Sequence, residues 1–339
     1  MLPGNSIAAV HLDAYGRLVP QPDQLPPGTA WTEPLLREVF PDAEVIEVLP
    51  RTGGQLSTVY ELRCADPAHS AILKVYAPEW AWKQVKEVRV YRILAGLDSL
   101  PVPRVLHHMP DGAPDGRAVT VLSLLEGRPL SEASKDLDAS QIPSFYREMG
   151  AALATIHQVG QEAYGYMTDH LLDPRPDNGT YMRHQFAKKL AEFKTLGGDD
   201  RLHDTVARRI ERDGALFDNC RAAVLCHNDL HEGNVLVGPG DVAHVTGIID
   251  VENAIAADPL IDLAKTDYYS LGRGEPERHT LFEGYGPLPA DAAERLDLYR
   301  LYHALELWDW FRSIGTVVPL GSIADDIARL AGQRSDTPS

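Results

Sequence analysis

The sequence predicts an α+β protein with two lobes: a small N-terminal lobe with an antiparallel sheet and one helix, and a larger, mainly helical C-terminal lobe. Its 339 residues, 44% of them hydrophobic, are more than one small core needs, so we expect two buried centres. Short alternating runs typical of strands occupy much of residues 43–124. Beyond Gly127 the hydrophobic residues recur at helical spacing instead.

The elements of the small lobe follow from local patterns of hydrophobic and turn-forming residues. Residues 1–30 are rich in Pro and Gly, and a turn signal at 13–16 between two short hydrophobic runs predicts a peripheral hairpin. Helical spacing covers 82–94, with Gly96 near its end. Strands are predicted as an antiparallel meander followed by a further pair, at 45–48, 58–63, 71–76, 104–109 and 118–124.

The larger lobe shows helical periodicity and no internal repeat. Predicted helices include segments at 145–157, 188–190, 206–210 and 296–311. The expected organisation is an N-terminal lobe over 1–122, a hinge at 123–127, a C-terminal lobe over 128–331 and a disordered tail at 332–339.

Charge and cysteine content exclude several classes of protein. Forty-nine acidic residues against 32 basic ones give a net charge of −17, which repels nucleic acid and anionic membrane surfaces. The three cysteines, Cys64, Cys220 and Cys226, have no C-x-x-C spacing, so neither a disulfide framework nor a zinc site is expected. No apolar run approaches the roughly 18 residues of a membrane span, and no signal sequence is recognisable. We therefore expect a cytoplasmic protein.

The segment most informative about chemistry is 227–234, whose H-x-D-x-x-x-x-N spacing is typical of a kinase catalytic loop. In such a loop the aspartate, here Asp229, orients and deprotonates an attacking hydroxyl, and the asparagine, here Asn234, holds a magnesium ion. A β-branched run over 246–249 ends in Asp250, where a second metal-binding carboxylate is expected. Because Mg²⁺ takes few ligands from protein, all of them oxygen, Asn234 and Asp250 are the predicted metal ligands.

The ordered combination of these motifs resembles the aminoglycoside phosphotransferase-type kinases, a family with the protein kinase-like fold. The family's catalytic-loop pattern stands at 227–234, and its metal motif at 248–250 is followed by Asp-Pro-Leu-Ile-Asp-Leu-Ala at 258–264. The resemblance spans roughly residues 48–311. It implies ATP or GTP and Mg²⁺ as cofactors, and transfer of the γ-phosphate to a hydroxyl group.

Departures from the protein-kinase pattern point to a small-molecule acceptor. Asn228 stands where many protein kinases have an arginine that pairs with a phosphorylated activation loop, and 250–252 reads Asp-Val-Glu instead of Asp-Phe-Gly. No Ala-Pro-Glu follows. We expect Glu252 to be an exposed carboxylate, with a position facing the cation as the alternative. His227 is expected to support the loop backbone, and Cys226 to be a buried, inert thiol.

Two residues of the first lobe match the kinase pair that positions nucleotide phosphates. Lys74 interrupts an otherwise hydrophobic strand, and Glu87 lies on the buried stripe of the following helix. Buried ions need partners, so a Lys74–Glu87 pair is predicted. Taken singly, Lys74 is better explained as a residue at a sheet edge and Glu87 as a solvated helix residue, and only their combination with the catalytic loop favours the pair.

Further nucleotide contacts are expected from a glycine loop and from the hinge. Gly53, Gly54 and Ser57 lie between two strands, where backbone amides and a hydroxyl can approach a triphosphate. The loop lacks G-x-G-x-x-G, and an ordinary turn is the alternative. By resemblance, main-chain groups of Ser123 and Leu125 bind the purine, although a plain strand end accounts for the residues equally well.

Acceptor contacts are predicted in two places. His231 and Glu232 lie between Asp229 and Asn234, with solvated surface positions as the alternative. Residues 241–310 contain fourteen acidic and five basic side chains, a net charge of −9. Because acidic helices are commonly solvated faces, a cationic acceptor and a solvated surface both remain open. By resemblance to family members that bind cationic aminosugars, the candidates in this region are Glu306, Trp308 and Asp309.

The function expected first is phosphorylation of an aminoglycoside or another antibiotic, in resistance or self-protection. A housekeeping kinase for a metabolite such as choline or homoserine has the same chemistry. A non-catalytic nucleotide-binding pseudokinase is the alternative from another class. A decayed enzyme would be expected to have lost part of the catalytic set, yet all four residues are present: Lys74, Asp229, Asn234 and Asp250.

Overall fold

The computed structural model describes residues 29–51, 57–113, 115–238, 244–270 and 274–332. The small lobe is built on an antiparallel sheet with the strand order β1-β2-β3-β5-β4. All five predicted strands are present, and the first three form the predicted meander. β3 is a central strand, paired on both sides. The strands are β1 (Val45–Arg51), β2 (Ser57–Cys64), β3 (Ala71–Tyr76), β4 (Val105–Met109) and β5 (Val119–Ser123).

Two helices belong to this lobe in the described residues, where the sequence predicted one. The predicted helix is α2 (Ala81–Leu94), which ends shortly before Gly96. The additional helix, α1 (Thr29–Arg37), is short and contains Pro34, and a proline inside a short segment argues against predicting a helix there. It is held by tertiary packing, because Leu36 is fully buried in the core of the small lobe.

The larger lobe is mainly helical, as predicted. The four predicted helical segments lie in its second, third, fourth and seventh helices. Within the described residues, no helix is both long and apolar enough to cross a membrane. The hairpin predicted near the N-terminus lies outside the described residues. Of the disordered tail predicted at 332–339, only Gly332 is described, and it ends the last helix instead. The helices are α3 (Leu130–Ala133), α4 (Ile142–Ile156), α5 (Asn178–Thr195), α6 (Asp200–Asp213), α7 (Pro259–Tyr269), α8 (Glu275–Tyr285), α9 (Ala292–Ser313) and α10 (Leu320–Gly332).

Short strands between these helices form two further sheets, with the orders β7-β10-β13-β8-β9 and β12-β11-β6. β10 and β11 flank the 227–234 segment, and β12 and β13 flank residues 249–254. Both motif-bearing segments are therefore fixed at their two ends by strand pairing. The strands are β6 (Arg128–Pro129), β7 (Gly160–Gln161), β8 (Tyr164–Met167), β9 (Leu171–Arg175), β10 (Ala223–Cys226), β11 (Val235–Val237), β12 (Val245–Ile248) and β13 (Ile255–Ala257).

Two glycines allow α4 and α8 to cross at close range. A Cβ atom on Gly150 or on Gly284 would collide with backbone atoms of the other helix. The crossing brings Tyr285, at the end of α8, within 2.9 Å of His157 Nδ1. The other ring nitrogen of His157 lies 3.2 Å from Asp262 on α7. Helix α8 is thereby connected to the helix that supports the 227–234 segment.

Gly127 occupies a position in the connection between the lobes that no other residue fits well. Its φ is +124°, and an added Cβ would lie 2.6 Å from Thr246 Oγ1 and 2.7 Å from the Val237 carbonyl oxygen. We expect Gly127→Ala to lower the free energy of unfolding by more than about 1 kcal/mol. Denaturant titration measures this, with Gly321→Ala as the control because a Cβ at Gly321 meets nothing within 4 Å. Equal stability of the two variants would contradict the prediction.

Candidate functional site

Lys74 and Glu87 form a buried ion pair between the sheet and α2. Lys74 Nζ lies 2.8 Å from Glu87 Oε1, and the Tyr76 hydroxyl donates to the other carboxylate oxygen. Lys74 is 6% exposed and Glu87 is 0% exposed, so neither occupies a sheet edge or a solvated helix face. Burial alone would lower the pKa of Lys74, but Glu87 and Asp250 hold it well above its ordinary value. The lysine is therefore a buried cation.

Asp250 lies opposite this pair, at the junction of the two lobes. Its Oδ1 is 3.3 Å from Lys74 Nζ, and its backbone N–H donates to the hydroxyl of Tyr91 on α2. Its φ of +65° is in the left-handed region, which is uncommon for a residue other than glycine. Such backbone strain persists only where surrounding contacts stabilise it. Here the contacts come from α2 and β3.

Glu252 is buried beside Asp250, which corrects the expectation that it is an exposed carboxylate. Its carboxylate oxygens lie 3.2 Å from Lys83 Nζ and 3.8 Å from Lys74 Nζ. Burial, followed by the charge of Asp250, raises the pKa of Glu252 to about 7. The short 3₁₀ turn Val251–Asn253 places Glu252 in this cluster of two lysines and three carboxylates. The sequence pattern could not distinguish this position from a solvated loop.

The backbone of the 227–234 segment is held by Asp262 of α7. The Asp262 carboxylate accepts hydrogen bonds from the backbone amides of His227 and Asn228, at 2.6 Å and 2.8 Å. Asn228 has a positive φ of +57°, and these bonds help to maintain it. His227 Nε2 lies 3.1 Å from the carbonyl oxygen of Ile249, so its ring connects the two motif-bearing segments.

The side chain of Asp229 lies at the centre of the site and is partly exposed. Its Oδ2 accepts a hydrogen bond from Asn253 Nδ2 at 3.0 Å, and its Oδ1 is 3.9 Å from Lys265 Nζ. Burial by itself would raise the pKa of Asp229, but Lys265, His231 and the other nearby donors outweigh burial and lower it. The side chain is therefore a carboxylate at neutral pH and can accept a hydrogen bond from a hydroxyl.

Asn234 lies between Asp229 and the segment that leads to Asp250. Its Nδ2 donates to the Asp229 carbonyl oxygen at 2.9 Å, and its own carbonyl oxygen accepts from the Ile249 amide at 3.0 Å. The Asn234 amide oxygen and the carboxylates of Asp250 and Glu252 are all oxygen donors, which are the ligands that Mg²⁺ prefers. The residues present therefore fit a magnesium ion.

Two of the residues expected around the nucleotide, Gly53 and Gly54, lie outside the described residues. Ser57 is the first residue of β2 and is buried, opposite Tyr76 of β3. A contact between Ser57 and a triphosphate stays a prediction.

Ser123 and Leu125, in the predicted hinge, were expected to bind a purine through their main-chain groups. The Ser123 amide donates to the Arg104 carbonyl oxygen at 2.9 Å, so this N–H is used within the sheet and is not free for a purine. Leu125 lies beyond the end of β5 and next to Gly247, where an added Cβ would be 2.9 Å from Leu125 Cδ1. Gly247 therefore leaves room for the Leu125 side chain.

Two acceptor candidates from the loop itself have partners within the fold. His231 Nδ1 accepts a hydrogen bond from the Gly233 amide at 3.0 Å. Glu232 accepts one from the hydroxyl of Tyr146 on α4 at 2.7 Å. Both side chains are half-buried. An acceptor contact by either residue remains a prediction.

The three candidates on α9 lie in different surroundings. Glu306 Oε2 is 3.1 Å from Lys265 Nζ, and this lysine is also the one nearest to Asp229. Trp308 is buried with its ring centroid 4.3 Å from that of Phe193, so it packs between α5 and α9. Asp309 is also buried, and burial raises its pKa to about 7. Of the three, Glu306 is the one that pairs with Lys265, the lysine nearest to Asp229.

Sequence reasoning missed Asn253, Lys83 and Lys265, all of which contact the proposed reaction centre. Lys265 carried a recognisable signal, because it follows Leu263 and Ala264 in a hydrophobic helical segment, as Lys74 interrupts a hydrophobic strand. Asn253 and Lys83 carried none, because an Asn in a turn and a Lys in the first turn of a helix are ordinary.

Comparison with protein families adds independent evidence. The family model described as "Phosphotransferase enzyme family" matches residues 47–299 of this chain. Among curated proteins, a probable ketoamine kinase of Vibrio vulnificus is 24% identical over 281 residues, which cover 77% of this chain and 86% of the relative.

Solved structures show that the fold is shared with small-molecule kinases. A thermostable mutant of aminoglycoside phosphotransferase APH(4)-Ia, solved with AMP-PNP and hygromycin B, superposes with a TM-score of 0.69 at 18% identity, covering 91% of this chain and 100% of that chain. A putative fructosamine-3-kinase from Haemophilus somnus gives a TM-score of 0.62 at 17% identity, covering 88% and 96%. The predicted protein kinase-like fold is confirmed.

Proposed function

Because this chain belongs to the phosphotransferase enzyme family, we propose that it moves the γ-phosphate of ATP or GTP to a hydroxyl of a small, polyhydroxylated amine, with a ketoamine as the acceptor class. One observation carries the proposal: Lys74, Glu87 and Asp250 lie in one set of contacts, and Asp229 and Asn234 lie on the neighbouring loop. Phosphoryl transfer needs these functions: a cation on the phosphates, metal ligands and an acceptor for the hydroxyl proton.

The nucleotide is assigned to the side of the site that contains Lys74. Lys74 is held by Glu87 with its ammonium directed at Asp250, where it can orient the phosphates. Asn234 and Asp250 are the proposed magnesium ligands, with Glu252 close enough to assist. When bound, the metal offsets phosphate charge and orients the triphosphate. The AMP-PNP complex of the aminoglycoside phosphotransferase supports a nucleotide in this fold.

The acceptor hydroxyl is assigned to Asp229. As the acceptor oxygen bonds to the γ-phosphorus, the bond from that phosphorus to the bridging oxygen breaks and the nucleoside diphosphate leaves. The hydroxyl proton passes to the Asp229 carboxylate. A carboxylate of low pKa suffices, because the transition state is largely dissociative and proton removal can come late.

A ketoamine is favoured over an aminoglycoside by charge and by sequence. Part of the acidic excess of residues 241–310, for which a cationic acceptor and a solvated surface were both left open, is used within the fold: Asp258 pairs with Arg295 at 2.6 Å, and Asp267 pairs with Arg300 at 2.6 Å. These carboxylates are not available to a polycation, and the ketoamine group itself contributes a single amine, so this acceptor class needs fewer of them. The curated relative named a ketoamine kinase aligns over most of this chain, and the aminoglycoside enzyme is similar in fold.

Release of nucleoside diphosphate with a panel of acceptors tests the function. The panel contains a glucose-derived ketoamine of lysine, hygromycin B, choline and homoserine, each with ATP or GTP and Mg²⁺. We expect turnover with the ketoamine, and a rate lower by about 100-fold or more when Asp229→Asn replaces the wild type. Turnover with hygromycin B alone would establish the antibiotic kinase expected first and overturn the ketoamine. No turnover, together with metal-independent nucleotide binding, would favour a pseudokinase.

Lys74→Met is expected to raise the nucleotide KM and to lower kcat by about 100-fold, because a preorganised charge is lost from the phosphates. The substitution also leaves Glu87 buried without its cation. A second variant, Lys74→Met with Glu87→Gln, removes that unpaired charge. Steady-state kinetics of both variants should show the same loss. Full turnover by either would contradict the role of Lys74.

A further inference from the structure

Lys265 is a buried lysine of α7 that lies between two carboxylates of the site. Its Nζ is 3.1 Å from Glu306 Oε2 and 3.9 Å from Asp229 Oδ1. The ring centroid of Tyr269 lies 5.4 Å from the same Nζ. Burial would lower the pKa of Lys265, but Glu306, Tyr269 and Asp229 raise it well above its ordinary value. Lys265 is therefore a fixed cation beside the proposed proton acceptor.

The two oxygens of Asp229 have different surroundings. Oδ2 is taken by the hydrogen bond from Asn253 Nδ2. Oδ1 accepts no hydrogen bond from the part of the chain that the structure describes, and Lys265 Nζ stands 3.9 Å away from it. The oxygen that faces Lys265 is thus the one left for a substrate hydroxyl.

The gap between Lys265 Nζ and Asp229 Oδ1 has the dimensions of a shared hydrogen-bonding partner. One oxygen atom that lies about 2.7–2.9 Å from each of two polar atoms fits when those atoms are about 4 Å apart. A hydroxyl in this place can donate its proton to Asp229 and accept a hydrogen bond from Lys265 at the same time. A direct ion pair between the two residues would close the gap.

We propose that Lys265 Nζ donates a hydrogen bond to the acceptor hydroxyl oxygen and so aims that oxygen at the γ-phosphorus, while Asp229 Oδ1 receives its proton. This inference rests on the proposed phosphotransferase function. Glu306 holds the ammonium in place from the other side, and Asn253 holds the carboxylate. The acceptor oxygen is oriented by two contacts from two different elements, the 227–234 segment and α7.

The competing explanation is structural, in which Lys265 serves to neutralise Glu306. Lys265→Met removes the ammonium and keeps most of the apolar stem, but it leaves Glu306 without its lysine. Adding Glu306→Gln removes this carboxylate charge, which His303 Nδ1 also contacts at 3.1 Å. Under the structural explanation the second substitution restores both stability and turnover. Under the proposal it restores stability alone, because no cation remains beside Asp229.

The experiment measures kcat, acceptor KM, nucleotide Kd and thermal midpoint for the wild type, Lys265→Met, Lys265→Arg and the double variant. We expect kcat to fall about 100-fold or more in Lys265→Met and in the double variant, as for loss of one preorganised donor. Nucleotide Kd should stay within about 3-fold, because the lysine contacts the acceptor side. Lys265→Arg, which keeps a cationic donor, should recover part of kcat.

Each outcome decides one point. A double variant that recovers kcat, or a Lys265→Met that keeps more than about a third of it, overturns the assignment of Lys265. Wild-type protein that phosphorylates no acceptor overturns the proposed function and this inference together. Wild-type turnover with fully active Lys265 variants overturns this inference alone.

Discussion

Replacement of Asp229 by asparagine is expected to lower kcat by about 100-fold or more, because general-base contributions typically amount to 10²–10⁴-fold. The structure indicates why the amide cannot substitute. Its oxygen is needed to accept the hydrogen bond from Asn253, which turns the amide NH₂ to the position of Oδ1, towards Lys265. A substrate hydroxyl then meets two donors and no group that can take its proton.

Nucleotide binding supplies the control for this variant. Asn234 and Asp250 are unchanged in Asp229→Asn, so the Kd of the Mg²⁺–nucleotide complex should be nearly that of the wild type. Calorimetric titration and kcat at saturating acceptor are measured in the same buffer. If the variant retains more than about a third of the wild-type rate, the 227–234 segment is not the catalytic loop.

Loss of the Asp250 carboxylate is expected to abolish Mg²⁺-dependent binding of the triphosphate, because the phosphates lose a ligand of the cation that offsets their charge. Asp250→Ala makes the simplest change, but alanine is disfavoured at the φ of +65° that residue 250 adopts. Asp250→Asn tolerates this backbone conformation and removes the charge. We expect both variants to bind nucleotide with the same Kd in Mg²⁺ and in EDTA.

A matched control separates charge from backbone conformation. Asp173 also has a positive φ, of +46°, and its side chain is exposed on β9. Asp173→Asn therefore makes the same chemical change in a similar backbone conformation outside the site. It should leave the Mg²⁺ dependence of nucleotide Kd at the wild-type value. Unchanged Mg²⁺-dependent affinity in Asp250→Asn would contradict the assignment of Asp250.

Local patterns were sufficient for the strands of the small lobe. The run from Ala71 to Tyr76 is hydrophobic and β-branched and is bounded by turns, and it forms β3 with those bounds. The helical spacing over 82–94 likewise predicted α2, which runs from Ala81 to Leu94. Short α1 is different, because a proline inside the segment argues against a helix, and its stability comes from Leu36 in the lobe's core.

Charge patterns along the chain were a weaker guide than periodicity. A net negative region predicts carboxylates available to a ligand only if its acidic side chains are exposed to solvent. Asp258, Asp262 and Asp267 are instead buried, and each is paired with a group of the protein. Trp308 and Asp309 lie on the buried side of α9. Composition does not reveal which side of a helix is buried.

The strands and helix α2 of the small lobe, the two-lobed α+β class and the placement of Asp229, Asn234 and Asp250 on short segments next to strands were accessible from the sequence. They depend on periodicity and motif spacing, which involve residues close together in the chain. Only the tertiary structure decided that Glu252 is buried, that Asn253 donates a hydrogen bond to Oδ2 of Asp229, and that Lys265 Nζ stands 3.9 Å from Oδ1. Lys265 reaches Asp229 because Asp262, one turn earlier on α7, holds the backbone of the loop against that helix. Contacts of this kind join residues far apart in the chain, and their distances are set by how the helices and strands pack together.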